Sequence, residues 1–349
     1  MQKGEYCFGK KITIADIARK SGVSKTTVSH VLTGKRPVSV KTKKRVLQII
    51  EELGYYPNYS ARSLSNKKTG IIGFVGRPIP DTHCYFSPLW EFIFAANTKA
   101  NKLGYKVLFL PIFHENTEEL LEISRAGYVD GLILMEIHLK DRRVELLKEE
   151  EFPFVMIGRC TENSDVDYVD IDAKGAVYEG VKYLIKKGHK NIAFVGVEDI
   201  HFGYTYRARE GYAMALRENN ISLQNRLIHF CLPSEISGRE LATKLIEDKI
   251  SFSALVSCED IISAGMLKAF HEKGVRVPEE ISLLSFGNSV LSEVTNPSLT
   301  VLNLRAMEMS EMAVETLVEK LRDVKGQERK QRILSSQLVE RKSVASICG

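Results

Sequence analysis

The chain has no run approaching the ~18 uninterrupted apolar residues a membrane-spanning helix needs, so no membrane partner is expected. Cysteine is scarce. Cys7, Cys84, Cys160, Cys231, Cys258 and Cys348 lie far apart, and no two share a CxxC spacing. That argues against a metal ribbon and a disulfide framework, and reduced thiols fit a cytoplasmic protein. Met1 to Lys10 (MQKGEYCFGK) lacks both an apolar core and a small-residue cleavage site, unlike a secretory signal. Enzyme motifs are missing as well. There is no GxSxG elbow, no GxxxxGK[ST] loop, no GxGxxG after the first strand and no HExxH. The eight histidines are scattered, with no pair at ligand spacing. Paired acids such as Glu118-Glu119 and Glu149-Glu150-Glu151 fall on expected exposed helix faces, where charge runs are solvated. No catalytic residue, cofactor or metal is therefore expected. No internal repeat of 20–50 residues and no low-complexity tract is present.

What is there is globular. The 349 residues, 44% hydrophobic and 27% charged, suit two or three domains. The net charge of +5 hides an asymmetry. Residues 1–69 hold 15 Lys and Arg against 4 Asp and Glu, a net of +11, while the remainder holds 34 against 40, a net of −6. A basic head on a mildly acidic body points to a polyanion as the head's partner. A solvated lysine-rich tail would carry the same charge but no apolar periodicity, and the head has that periodicity.

The head reads as three short helices. Thr13 and Asp16 form a Thr-x-x-acid helix start with reciprocal capping, and Ile14, Ile17 and Ala18 share one face. Gly22 stops this helix. Ser24 caps a second, with Val28, Val31 and Leu32 inward. Gly34 and Pro37 break the chain, and Ser39 caps a third helix whose Val46, Ile49, Ile50 and Leu53 recur at i, i+3, i+4, i+7. The turn Ser21-Gly22-Val23-Ser24 has the length expected of a helix-turn-helix. In that motif the second helix enters the DNA major groove by its N-terminal end. Lys25, Thr26 and His30 alternate with the buried valines and would face base edges. Thr13, Ser24, Thr27, Ser29 and Ser39 are short hydroxyls near helix starts, suited to phosphate. Taken singly, each is also an ordinary surface residue; the set at this spacing is what is specific.

These residues carry a family resemblance. Thr13-Ile14-Ala15-Asp16-Ile17-Ala18, Gly22-Val23-Ser24, Thr27-Val28-Ser29, Leu53-Gly54-Tyr55, Pro57-Asn58 and Ala61-Arg62-Ser63-Leu64 resemble the head of the lactose-repressor/galactose-repressor (LacI/GalR) family. The resemblance runs from about residue 12 to about residue 340. It implies that Asn58 to Leu64 form a hinge helix on operator binding, with Leu64 wedged into the central minor groove and Ala61 beside it. Such a wedge costs a few kcal/mol of base unstacking, offset by contacts the bend allows. Composition alone would read the segment as a polar linker.

The body alternates strand and helix. Apolar runs stand at Ile71–Val75, Val107–Leu110, Gly131–Met135, Phe154–Ile157, Ile192–Gly196, Ala254–Ser257 and Ile281–Phe286. Helical patterns separate them, as at Leu89–Leu103, Ala173–Lys187, Arg209–Asn219 and Asp260–Lys273. This is an α/β pattern of parallel sheets covered on both faces, and the length suits two lobes. Asp130-Gly131-Leu132-Ile133, Gly188-His189-Lys190-Asn191-Ile192-Ala193, Val277-Pro278-Glu279-Glu280-Ile281-Ser282 and Pro297-Ser298-Leu299-Thr300 are also similar to the family. The resemblance implies a two-lobed, periplasmic-binding-protein-like body that takes a small effector between its lobes. His189 reads as a structural turn residue. The expected organisation is a tail at 1–10, a small all-α helix-turn-helix DNA-binding domain at 11–56 and a hinge helix and linker at 57–70. The effector-binding and dimerisation body follows at 71–349. Its first lobe takes 71–168 and 299–325, and its second takes 169–298 and 326–349.

The effector contacts depart from the family pattern. Glu259 stands where an asparagine is usual, and Gly287, before Asn288, replaces a ligand-binding aspartate. The arginine three residues before Gly211-Tyr212 is Ala208, flanked by Arg207 and Arg209. Pro233 replaces an aromatic. Ser87-Pro88-Leu89-Trp90 resembles the family's Asn-Pro-aromatic-aromatic loop and leaves Trp90 as the stacking candidate, with a core tryptophan as the alternative. Arg159 follows Ile157-Gly158 at a strand end, where ligands gather in such sheets. The candidate effector set is thus Ser87, Trp90, Arg159, Arg207, Arg209, Glu259 and Asn288. Its mixed charge points to a charged, amino- or acid-bearing small molecule rather than a neutral sugar. The expected function is that of a transcriptional regulator, a repressor, working as a cytoplasmic homodimer on a near-palindromic double-stranded operator under effector control. A tetramer is not expected, because Glu340–Gly349 holds no leucine heptads. Control by a protein corepressor, a solute-binding protein without gene regulation and a general nucleoid-binding protein are the alternatives.

Overall fold

A computed structural model describes residues 12–33, 36–55, 68–78, 89–162, 165–198, 201–322 and 328–347. The chain divides into two compact units, Met1–Thr69 and Gly70–Gly349.

The first unit holds helices α1 (Ile14–Ser21), α2 (Lys25–Thr33) and α3 (Val40–Leu53). Thr13 donates its backbone N–H and its hydroxyl to Asp16 Oδ2, at 3.0 and 2.7 Å, and so starts α1. Gly22, at φ 63°, ends it in the left-handed conformation that a side chain would disfavour. Ser24 then caps α2 by accepting the Thr27 N–H at 3.0 Å, and Ser39 caps α3 by accepting that of Thr42 at 3.2 Å. Ile17, Ala18, Val28, Val46, Ile49 and Tyr55 are buried together. Val31, Leu32, Ile50 and Leu53, expected on inner faces, are only partly buried against them.

The second unit is built on two six-stranded sheets. The first contains β1 (Ile71–Gly76), β2 (Lys106–Pro111), β3 (Gly131–Leu134), β4 (Phe154–Ile157), β5 (Tyr168–Ile171) and β11 (Gln331–Leu334), in the order β11-β5-β4-β3-β1-β2. Helices α4 (Leu89–Lys102), α5 (Thr117–Ala126), α6 (Arg142–Glu149) and α12 (Ala306–Arg322) pack with it. The second contains β6 (Ile192–Val197), β7 (Ile228–Cys231), β8 (Ala254–Ser257), β9 (Ser282–Gly287), β10 (Thr300–Asn303) and β12 (Leu338–Val339), in the order β12-β10-β9-β8-β6-β7. With it go α7 (Ala173–Lys186), α8 (Gly203–Glu218), α9 (Glu235–Glu247), α10 (Asp260–Glu272) and α11 (Val290–Val294). The pairings are parallel except that β12 runs antiparallel to β10.

Central strands are mostly apolar because both sheet faces are covered. Phe74 of β1 sits between Phe109 and Ile133, and Val256 of β8 between Phe194 and Leu284. Helices α9 and α10 approach closely through glycines. A Cβ on Gly238 would stand 2.2 Å from the Ile262 carbonyl oxygen, and one on Gly265 would stand 1.9 Å from that of Glu235.

The chain passes between lobes three times: from β5 into α7, from β10 into α12, and from β11 to β12. This corrects the expected lobe limits. Residues 169–171 and 331–334 are hydrogen-bonded into the first sheet, and 300–303 into the second. The reason is local. Each crossing follows the last hydrogen-bonded residue of its strand, and these three strands carry no clear apolar run that would mark their ends in the sequence. Helix α8 also begins at Gly203 rather than at Arg209.

Candidate functional sites: a DNA-reading head and an interlobe cleft

In the head, Val28 is fully buried, which turns the N-terminal part of α2 outward. Lys25 and Thr26 are exposed, and Thr27, Ser29 and His30 are half-buried. Thr13, Ser24 and Ser39 are exposed at the three helix starts. The Ser24 hydroxyl lies 2.9 Å from that of Thr27, so capping already occupies both in part. Sequence reasoning did not single out the first turns of α3, where Lys41, Lys43, Lys44 and Arg45 are all exposed. The signal was present as a run of four cations in five residues. Such a surface suits phosphate contact, which positions a protein on the duplex without reading its sequence. The hinge candidates Asn58, Ala61 and Leu64 lie outside the described residues, as does Ser87.

The cleft is built from loops at the carboxyl ends of both sheets. On the first lobe, Arg77 follows β1, Glu136 follows β3, Arg159 follows β4 and Asp170 lies near the end of β5. Arg77 Nε meets Glu136 Oε1 at 2.8 Å, and its backbone N–H donates to Glu136 Oε2 at 2.9 Å. Glu136 adopts φ 54°, a sparsely populated conformation for a side-chain-bearing residue. A buried ion pair supports this loop. Arg143, 1% exposed, donates to both Asp141 carboxylate oxygens, at 3.0 and 2.7 Å, and to the carbonyls of Met135 and Glu136. Burial opposes ionisation of Asp141, but the bonds from Arg143 outweigh it and hold the carboxyl below its ordinary value.

Across the cleft the lobes touch. His138 and Phe202 form an antiparallel bridge, the Leu139 N–H donates to the His201 carbonyl at 2.8 Å, and that of Gly203 to the Ile137 carbonyl at 2.9 Å. His114 stacks on His138, ring centroids 3.9 Å apart, and its Nε2 lies 2.6 Å from the Glu136 carbonyl oxygen. Burial, then Arg143 and His138, lower the His114 pKa. Arg207 Nη1 and Nη2 donate to the carbonyls of Arg159 and Cys160, at 3.1 and 3.0 Å, tying α8 to the end of β4. Arg159 Nε lies 3.4 Å from Asp170 Oδ2. Burial pushes Asp170 up to about 6, against the pull of Arg159 and Arg207. On the second lobe, Glu259 ends the β8 loop and accepts the Tyr204 hydroxyl at 2.8 Å. Burial and then Asp260 push it up to about 7.

Residues 13–58 match the family described as bacterial regulatory proteins, lacI family, and residues 181–344 match a periplasmic binding protein-like domain. The regulator RegA of Clostridium saccharobutylicum is 30% identical over 333 residues, 95% of this chain and 98% of the relative. The chain belongs to the lacI family of regulatory proteins. The repressor PurR of Pasteurella multocida is 32% identical over 340 residues, 96% of this chain and 99% of the relative. Catabolite control protein A of Priestia megaterium is 32% identical over 293 residues, 83% and 86% of the two chains. The fold matches that of a Lac repressor dimer bound to operator and an anti-inducer, with a TM-score of 0.81 over 96% of this chain and 100% of that one, at 22% identity. The chain is thus a lacI-family transcriptional regulator, with a helix-turn-helix head and a two-lobed α/β body.

Against the family pattern, the structure sorts the candidate residues. Arg207, not Arg209, is the arginine turned to the first lobe; Arg209 is exposed and Ala208 fully buried, because the phase of α8 puts position 208 inward. Asn288 accepts from Arg341 Nη2 at 2.8 Å, which holds its carboxamide against the C-terminal segment. Trp90 is 44% exposed, so it is no core tryptophan. His189 bonds the Ser253 hydroxyl at 3.0 Å and the Ala345 carbonyl at 3.1 Å, as a structural residue does. Arg77, Glu136, Tyr204 and Asp170 were not singled out from the sequence. For Asp170 the signal was a carboxylate inside the run Tyr168-Val169-Asp170-Ile171.

Proposed function

We propose that this regulator is a cytoplasmic repressor that binds a near-palindromic operator as a homodimer, and that a small effector in the interlobe cleft controls its affinity. The observation that carries the reading is the capped, outward-facing N-terminal part of α2 on a head of net charge +11. Lys25, Thr26 and His30 read base edges; Thr13, Ser24, Thr27, Ser29 and Ser39, with the cations of α3, hold phosphates. Asn58, Ala61 and Leu64 act as the hinge wedge, which carries bending as well as affinity. Two half-sites related by a two-fold axis match a dimer. The neighbour solved as a dimer on its operator supports that state, as do Phe94 and Leu108 of lobe one and Val290 and Val294 of lobe two, all exposed apolar residues a second copy would cover. For the cleft, Arg159, Arg207 and Glu259 are the effector contacts, with Trp90 at the rim. A neighbour solved in complex with cellobiose supports a small-molecule ligand.

The test is operator binding by the full chain and by residues 70–349 across a salt series. The full chain should bind one defined inverted repeat, with log affinity falling against log salt by about 0.9 for each phosphate neutralised. The body alone should not bind. A body that still shifts the operator would overturn the assignment of the head.

A further inference from the structure

We propose that the effector carries a positively charged nitrogen, an ammonium or amidinium group, seated between the lobes against Glu91, Glu259 and Asp260. The inference rests on the reading of the cleft as an effector site and adds the ligand's chemical class.

Glu259 and Asp260 lie between the carboxyl end of β8 and the start of α10, and Glu91 lies in the first turn of α4 on the other lobe. Asp260 acts on Glu91 across the cleft as well as on Glu259 beside it, and both of these carboxyls are raised by burial first and by Asp260 second. Arg77 is a cation whose charge reaches Glu259, and its guanidinium is already paired with Glu136.

A second observation is independent of the charge count. Asp260 is 1% exposed. Its Oδ2 accepts the Ser289 N–H at 2.9 Å and the Ser292 hydroxyl at 3.2 Å, but its Oδ1 has no hydrogen-bond partner among the described residues. A buried carboxylate oxygen without a donor calls for one. Gly287 makes room for this arrangement. A Cβ there would stand 2.8 Å from the Asp260 carboxylate, so the usual aspartate at this position would collide with it.

A cation answers this site in a way other ligands do not. An ammonium brings three donors and a charge. A neutral hydroxyl donates once and leaves the carboxylates repelling one another, and a phosphate adds to the repulsion. Elsewhere in the cleft Arg207 is held by two carbonyls, while Arg159 faces Asp170 and keeps a buried Nη1 without a hydrogen-bond partner among the described residues, so an acceptor on another part of the same effector would meet Arg159. Trp90, exposed next to Glu91, offers a ring face of the kind that attracts an ammonium.

The experiment melts the full chain at pH 7.5 with matched probes at equal concentration: glucosamine, glucose and glucose 6-phosphate, then putrescine, agmatine and 1,4-butanediol. At least one amine should raise the melting temperature, by about 5 °C at 100 times its Kd. Its neutral or anionic partner should not. The amine's Kd should weaken by about 30-fold in Glu259→Gln, with a smaller loss in the more accessible Glu91→Gln. A rise as large with glucose, glucose 6-phosphate or butanediol, no rise with any amine, or a Kd unchanged in both variants would overturn the proposal. Operator affinity measured on the same samples judges the underlying reading separately. A neutral sugar that binds and changes operator affinity leaves an effector site and removes its cation. Binding that never changes operator affinity removes the effector site itself.

Discussion

Among the described residues the head rests on six buried together, and residues 1–69 carry 15 cations against 4 acids. The body spreads its core over two six-stranded sheets and buries a few carboxyls, Asp170, Glu259 and Asp260 among them, in a cleft. The two regions differ in what holds them and in what they want. A three-helix unit of this size sits near the lower limit of what a hydrophobic core can stabilise, and its like charges weaken it further until a polyanion binds. The body has core to spare, and it can tolerate buried carboxyls held in unfavourable ionisation. Stability is thin where DNA is read and ample where the ligand is sensed.

The sharpest break in this contrast is Val28→Asp. A charge at a fully buried site of so small a core should unfold the head and abolish operator binding, while the body's melting transition stays in place. Calorimetry beside a gel shift would show both; a moved body transition would mean the two units are not independent. Next in size is Arg143→Met, which leaves Asp141 buried without its partner. The expected loss is ~3–5 kcal/mol, confined to the body's transition in a denaturant titration. Lys25→Ala should weaken operator binding by ~1–3 kcal/mol and relax preference at one base pair per half-site, without touching either melting transition. Uniform weakening on every sequence would make Lys25 a phosphate contact.

The last effect is on pH. Glu259 rises from an ordinary value of 4.5 to about 7, and Asp170 from 3.8 to about 6. Both release protons less readily folded than unfolded, so their contributions favour the fold at low pH. Glu259's is lost as pH rises from about 4.5 to about 7, and Asp170's between about 4 and about 6. Glu259→Gln should flatten the body's stability profile near pH 7 and leave the part below pH 6 that belongs to Asp170. An unchanged slope would remove Glu259 from the set of buried titrating groups.

The sequence made the head nearly transparent, because caps, stops and the i, i+3, i+4 pattern are local signals. Thr13, Gly22, Ser24 and Ser39 each do in the structure what their positions suggested. In the body, the central strands were legible as apolar runs. Tyr168–Ile171, Ile228–Cys231 and Thr300–Asn303 were not, since Asp170, His229 and two polar ends interrupt them. Gln331–Leu334 and Leu338–Val339 are edge strands, half solvated and without an apolar run. The cleft was least legible. Arg77 and Glu136 stand 59 residues apart, Tyr204 and Glu259 stand 55 apart, and only the fold brings each pair together. The stacked His114 and His138 looked scattered for the same reason.

The proposed repressor stands or falls on its heads reading two half-sites as a pair. Selection of bound duplexes from a random DNA pool by the full chain tests it, with the stoichiometry of the winning complex measured by mass. The predicted result is an inverted repeat occupied by two copies of the chain, its central step bent by the wild type and less bent with Leu64→Ala. Enrichment of no sequence, or of a single asymmetric site held by one copy, would contradict it.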